Sequence, residues 1–209
     1  MSDLEPLSTR CVAISISESP DLATLGLAKE HLDDAMAEIA RHLLALGARL
    51  MYGGDLRPQG FTELLFELVA RHRRNAEFGD EQVGIVNFLA WPVHVSRSSE
   101  EIRELSEALR GAAELVCLTA DGNVMRSDER ERLAPRPAAN HEWATGLTVM
   151  RSVMTRTSDA RILLGGKVEG FKGRMPGVAE EALLALRAGQ PLFLLDGFGG
   201  CTRDIAQDL

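Results

Sequence analysis

Positions 162–181 read ILLGGKVEGFKGRMPGVAEE: an apolar run, then five glycines, three cations and two adjacent closing carboxylates. Glycine lets a ligand approach main-chain N–H groups more closely than a Cβ atom permits, and cations add positive potential, so the composition suits a phosphate or pyrophosphate. Gly165, Gly166, Lys167 and Gly177 are the expected cradle, with Lys172 and Arg174 in the same stretch. Glu180 and Glu181 fall in the first turn of the helix expected to start at Pro176, where the helix dipole alone favours acids. A carboxylate facing the glycines would also accept hydrogen bonds from the hydroxyls of a ribose.

Three further segments share this character: Ser15-Ile16-Ser17-Glu18-Ser19, Gly53-Gly54-Asp55-Leu56-Arg57 and Gly197-Phe198-Gly199-Gly200, each closing an apolar run. Any one of them is equally a tight turn; four at corresponding places point to one site, because ligands of open parallel sheets bind outside the carboxyl ends of the strands. Ser15, Ser17, Gly53, Gly54, Gly199 and Gly200 are the expected floor, and Arg57 and Arg151 the added charge.

The elements that must position these residues follow from hydrophobic period. Short apolar runs at 11–17, 49–52, 83–90, 115–119, 161–164 and 192–195 alternate with segments of helical period, such as Met36, Ile39, Leu43 and Leu46. That alternation predicts a Rossmann-like, doubly wound α/β fold: a mainly parallel sheet of about six strands with helices on both faces. Ser98-Ser99-Glu100-Glu101 predicts a capped helix start, Pro92 a strand stop, and 121–140 a long excursion.

With 209 residues, 45% of them hydrophobic and 26% charged, the chain fits one globular domain over 1–209. A net charge of −8 argues against a nucleic-acid surface. Cys11, Cys117 and Cys201 suggest neither disulfides nor a metal quartet, and His31, His42, His72 and His94 share no ligand spacing, so no metal or cofactor is expected. The N-terminus MSDLEPLSTR lacks a signal-peptide pattern and no run reaches about 18 apolar residues, which predicts no membrane contact and a cytoplasmic location. The chain closes on DIAQDL soon after a helix is expected to open, so a module of a longer protein is expected.

Other residues have plainer readings. Asn140-His141-Glu142 suits a helix cap with Asn140 as N-cap, and Glu63, Glu67 and Arg71 a solvated helix face; Arg71-His72-Arg73-Arg74 complements a helix C-terminus. Trp91 and Trp143 are each either core or a platform for an adenine.

Taken together, these segments resemble the SLOG superfamily, a Rossmann-like group that includes the cytokinin-activating phosphoribohydrolases called LOG, the DNA-processing protein DprA and the sensing domains of melastatin-type TRP channels. The resemblance spans nearly the whole chain and is specific over 149–200. Met154-Thr155-Arg156-Thr157-Ser158-Asp159-Ala160 is similar to the LOG stretch Met-x-Arg-x-Ser-Asp-Ala. Gly165-Gly166 and Gly177-Val178-Ala179-Glu180-Glu181 resemble the LOG loop Pro-Gly-Gly-x-Gly-Thr-x-x-Glu, with an insertion between them. Counting back from Met154, the catalytic Arg-Lys pair of LOG falls on Met150-Arg151, so Met stands at the catalytic Arg position.

The longer pattern is similar to prokaryotic SLOG clusters of antiviral conflict systems. That resemblance implies a sensor of a nucleotide-derived second messenger of the ADP-ribose or cyclic ADP-ribose type, which switches an attached effector and self-associates. The LOG side of the resemblance implies an alternative: a nucleotide N-glycosidase in which Glu181 stabilises an oxocarbenium-like transition state.

Overall fold

The computed structural model describes residues 5–54, 56, 60–75, 84–111 and 113–209, with the backbone alone for 69–75. Six strands form one sheet: β1 (Cys11–Ser17), β2 (Arg49–Gly53), β3 (Ile85–Leu89), β4 (Ala113–Cys117), β5 (Ala160–Gly165) and β6 (Leu192–Leu195). Their order is β4-β3-β2-β1-β5-β6 and every pairing is parallel. The chain therefore winds outward from β1 through β2 to β4, returns, and winds the other way through β5 and β6. Between β1 and β5 the winding reverses, so the loops leaving these two strands diverge and open a crevice.

Among the described residues eight helices accompany the strands: α1 (Lys29–Ala45), α2 (Phe61–Asn75), α3 (Trp91–His94), α4 (Ser99–Ala108), α5 (Ser127–Glu131), α6 (Asn140–Thr157), α7 (Gly177–Arg187) and, after β6, α8 (Gly200–Asp208). Alternating strand residues face opposite layers, as the period of two requires. Ile14, Leu50 and Tyr52 join Leu32, Met36 and Leu65 of α1 and α2 in one cluster. Ala13, Met51, Val86 and Phe88 join Met150, Val153 and Met154 of α6 in the other. Leu32 and Met36 are fully buried, each contributing about 1.5–3 kcal/mol by leaving water. Among the described residues no helix is long and apolar enough to cross a membrane.

Local chemistry sets the helix starts. Ser98 caps α4 by accepting from the Glu101 N–H at 3.1 Å, while the Glu101 carboxylate accepts from the Ser98 N–H at 2.7 Å. Three sequence expectations need adjusting. Ala139, not Asn140, is the N-cap of α6, because the Glu142 carboxylate reaches back to the Ala139 N–H at 2.8 Å and draws Asn140 into the helix. Pro176 is the N-cap of α7 rather than its first residue, which is Gly177. After β3 the chain turns into α3 at Trp91, where Pro92 opens the helix at a position that needs no N–H donor. The 121–140 excursion also contains a short helix, α5.

The stretch 154–160 that resembles the LOG motif works at the opposite rim, where the strands begin. Asp159 accepts from the Cys11 N–H at 2.8 Å and from Arg10 at 3.0 Å, and Gln190 donates to the Ser158 carbonyl at 2.6 Å. The Cys11 N–H, then Arg10, holds the Asp159 carboxyl below its ordinary range.

Candidate functional site

At the carboxyl ends of β1, β2 and β5 lies a cavity of about 300 Å³, bounded on its far side by α6 and α7. Ser15 and Ser17 come from β1, Gly53 and Gly54 from the end of β2, Arg151 from α6, Lys167 from the loop after β5, and Gly177 and Glu181 from α7. Residues as far apart in sequence as Ser15 and Glu181 thus meet at the switch point, because parallel winding returns every strand end to one rim. Eight of the fourteen sequence-expected residues line this one cavity.

Gly53 and Gly54 are required by packing. A Cβ on Gly53 would stand 2.7 Å from Met150 Cε, and one on Gly54 would overlap the Thr62 hydroxyl. Gly165 and Gly166 have φ of 59° and 110°, in the left-handed region, and a Cβ on them would meet the Ser17 carbonyl oxygen at 2.6 Å and Cys201 Cβ at 2.8 Å. They do not line the cavity; they brace it. The Gly166 N–H donates to the Ser17 carbonyl at 2.9 Å, the Gly166 carbonyl accepts from the Cys201 N–H at 3.0 Å, and the Lys167 N–H donates to Ser17 Oγ at 3.0 Å. The Gly166 and Lys167 amides are committed within the fold, which leaves at the cavity the lysine side chains and the start of α7, where Pro176 supplies no side-chain cap.

Gly199 and Gly200 stand outside the cavity, against the loop after β1. The Gly200 N–H donates to Asp21 Oδ2 at 2.7 Å, and a Cβ on Gly199 would stand 2.6 Å from Asp21 Cβ. They flank a second, more open recess lined by Glu18, Ser19, Pro20, Lys167, Val168 and Glu169, so that Lys167 stands between the two hollows. Arg57 lies outside the described residues.

Beneath the cavity runs a buried ion network. Arg151 pairs with Glu180 through Nη1 and approaches Glu181 with Nε at 3.4 Å. Arg161, fully buried in β5, donates from Nη1 to Glu181 Oε2 at 3.0 Å and to Ser15 Oγ at 2.8 Å, and from Nη2 to Thr155 Oγ1 at 3.3 Å. Thr148 donates to Glu180 Oε1 at 2.5 Å. Glu180 therefore turns away from the cavity, and Glu181 borders it with both oxygens facing guanidinium groups. Two cations and two carboxylates cancel, so Arg151 adds no net charge to the cleft. Lys167 and Lys172 do: both line it, and neither forms an ion pair among the described residues.

Arg161 and the contact that the insertion 168–176 makes across the cavity escaped the sequence reading. A single arginine inside ARILLG, a strand covered on both faces, was the available signal for the first. Gly170, Phe171 and Lys172 of the insertion line the cavity, while Arg174 does not. Lys172 Nζ stands 4.0 Å from the centroid of the Trp143 ring, a pairing 29 residues apart that no local pattern announces. Trp91 is engaged elsewhere, donating through Nε1 to Glu142 at 2.9 Å beneath the Arg136 guanidinium. Among the described residues no group of three or more His, Cys, Asp or Glu side chains is arranged to hold a metal.

The model of the family SLOG cluster2 matches residues 6–209. The chain belongs to the SLOG cluster2 family. No curated protein and no solved structure matches it. Membership agrees with the observed all-parallel sheet and supports a nucleotide-related Rossmann-like domain. In this SLOG chain Met150 is 3% exposed and packs against Gly53.

Proposed function

We propose that this SLOG domain is a sensor that binds a pyrophosphate-bearing nucleotide derivative, of the ADP-ribose or cyclic ADP-ribose type, in the switch-point cleft. The observation that carries this reading is the charge arrangement: every carboxylate at the cleft is held by a buried guanidinium, while Lys167 and Lys172 face it without an ion-pair partner. An anion entering there meets two cations without an ion-pair partner and the start of α7, where Pro176 supplies no side-chain cap, and no bare carboxylate. The Ser17 hydroxyl at the wall suits a ribose hydroxyl, and each Glu181 oxygen keeps a second lone pair beyond its guanidinium contact to accept from another. In this reading the domain acts in the cytoplasm, switches an attached or associated effector in antiviral defence, and signals by self-association. Support for self-association comes from the sheet edge: among the described residues β6 pairs with β5 alone, its sequence is LFLL, and Phe193 is 56% exposed.

A thermal-shift series with ADP-ribose, cyclic ADP-ribose isomers and cyclic dinucleotides tests the reading. A ligand at about a hundred times its Kd adds about 2.7 kcal/mol, or about 5–11 °C in a chain of this length. A flat melting temperature across the series overturns it. The N-glycosidase alternative rests on Glu181 bordering the cavity, yet both its oxygens are engaged by Arg151 and Arg161. Free base released from a nucleoside monophosphate, and lost in Glu181→Gln, would favour that alternative.

A further inference from the structure

The cleft is chemically divided. Ser15, Ser17, Lys167 and Gly177 make one part polar and cationic, whereas Val93, Trp143, Leu147, Met150 and Phe171 make the other apolar and aromatic. Phosphates and ribose account for the first part only. We propose that the face of the Trp143 indole is the platform for the aromatic base of the ligand, and that Lys172, which covers this face, exchanges it for a phosphate oxygen when the base arrives. This inference rests on the nucleotide reading above and assigns the base subsite within it.

Three observations converge on Trp143. Its position is fixed from the neighbouring residue: Glu142 accepts from the Ala139 N–H at 2.8 Å, from Trp91 Nε1 at 2.9 Å and from Arg136 Nη2 at 2.6 Å, so the first turn of α6 is anchored before any ligand binds. The indole is half-buried, packing against the cluster that contains Met150 while still lining the cavity. The Lys172 ammonium lies over it at 4.0 Å from the centroid, carried on an exposed side chain of the loop between Lys167 and Gly177. Phe171, next to Lys172, is 41% exposed and lines the same cavity.

The exchange is favourable on both sides. A nucleobase stacked on an indole outweighs an exposed ammonium over the same ring. The displaced ammonium then has a phosphate of the same ligand as its partner, a charge-assisted contact stronger than the one it leaves. Base and phosphate therefore reinforce each other, and a ligand with only one of them forfeits part of the gain.

The test uses three probes, ADP-ribose, inorganic pyrophosphate and adenosine, with calorimetry on the whole chain. In Trp143→Leu, ADP-ribose is expected to bind about 5- to 150-fold more weakly, the range of one lost base stack, with pyrophosphate unchanged within about twofold. In Lys172→Met, which leaves the indole in place, adenosine is expected to bind more tightly because its competitor for the ring is gone, while ADP-ribose binds more weakly. Opposite signs for these two probes are not produced by a general loosening of the fold. In a Trp91→Phe background Trp143 is the sole indole, and its fluorescence is expected to be quenched saturably by ADP-ribose and unaffected by pyrophosphate. Unaltered ADP-ribose affinity in Trp143→Leu, or adenosine and ADP-ribose shifting together in Lys172→Met, overturns the base platform and leaves the phosphate site standing. If none of the three probes binds the unaltered chain, the nucleotide reading itself falls, and the platform with it.

Discussion

Replacing Glu181 by Gln should destabilise the fold far more than its position on a cavity wall suggests. Arg161 is fully buried, and Glu181 is its single carboxylate partner among the described residues, at 3.0 Å. Ser15 and Thr155 also receive its protons but carry no charge. Glutamine keeps the shape of the side chain yet turns one acceptor oxygen into an NH2 group, which faces either Arg151 or Arg161 donor to donor. Removing one partner of a buried pair in this way costs about 3–5 kcal/mol, because the other charge stays in a poorly solvating interior. For a chain of this length that corresponds to a fall of about 6–20 °C in Tm. Urea unfolding followed by far-UV circular dichroism measures it. Arg161→Met in the same chain removes the orphaned charge, so the double variant should recover about 1–3 kcal/mol relative to the sum of the single changes. A Glu181→Gln protein within about 1 kcal/mol of the original, or strict additivity with Arg161→Met, would refute the network as drawn.

Acid should unfold the protein through identifiable groups. Arg136, then the Ala139 N–H and Trp91 Nε1, hold the Glu142 carboxyl well below its ordinary value of 4.5, so the stability it contributes is complete above that pH and is lost as pH falls through the depressed folded value. Glu142→Gln should flatten the decline of Tm measured from about pH 5 to pH 3. Burial, the larger influence on His94, lowers its pKa from 6.5, so the stability it contributes is present above that value and declines as pH falls toward the folded one. His94→Gln should remove that part of the decline. Gly166→Ala places a methyl 2.8 Å from Cys201 Cβ at a φ of 110°, and should cost at least about 1–2 kcal/mol in thermal unfolding; a neutral result would mean the loop is not braced as described. Phe193→Glu, at the open sheet edge, should reduce self-association in sedimentation velocity without lowering Tm; an unchanged distribution of species removes β6 as the contact.

The strands were legible because they are short apolar runs, most of them closed by glycine, serine or proline, and the helices from their period, although of Met36, Ile39, Leu43 and Leu46 in α1 only Met36 is among its buried residues, with Leu32, Ala40 and Leu44. Strand order was not, since a parallel connection leaves no trace of which side of β1 it returns to; register contacts such as Val12 with Ala160 settle it. The rim as a meeting place could be read from four strand ends. What each residue does there could not. Gly165 and Gly166 read as a phosphate cradle, yet their demand for glycine comes from Ser17 and Cys201, neighbours by tertiary contact. Arg151 read as added charge, but Glu180 and Glu181, one helix away, neutralise it. Lys172 over Trp143 depends on how an insertion folds back across a cleft, and periodicity says nothing of that.

The central claim is that the cations at the cleft bind the phosphates of a nucleotide derivative, and isothermal titration of ADP-ribose into the unaltered chain and into Lys167→Glu measures it directly. Lys167 is exposed and forms no ion pair among the described residues, so its reversal leaves the fold intact while replacing attraction by repulsion. Saturable heat in the first protein and a loss of at least about tenfold in affinity in the second is the expected result, the size of one charge-assisted contact. Equal binding in both proteins, or no heat in either, would contradict it.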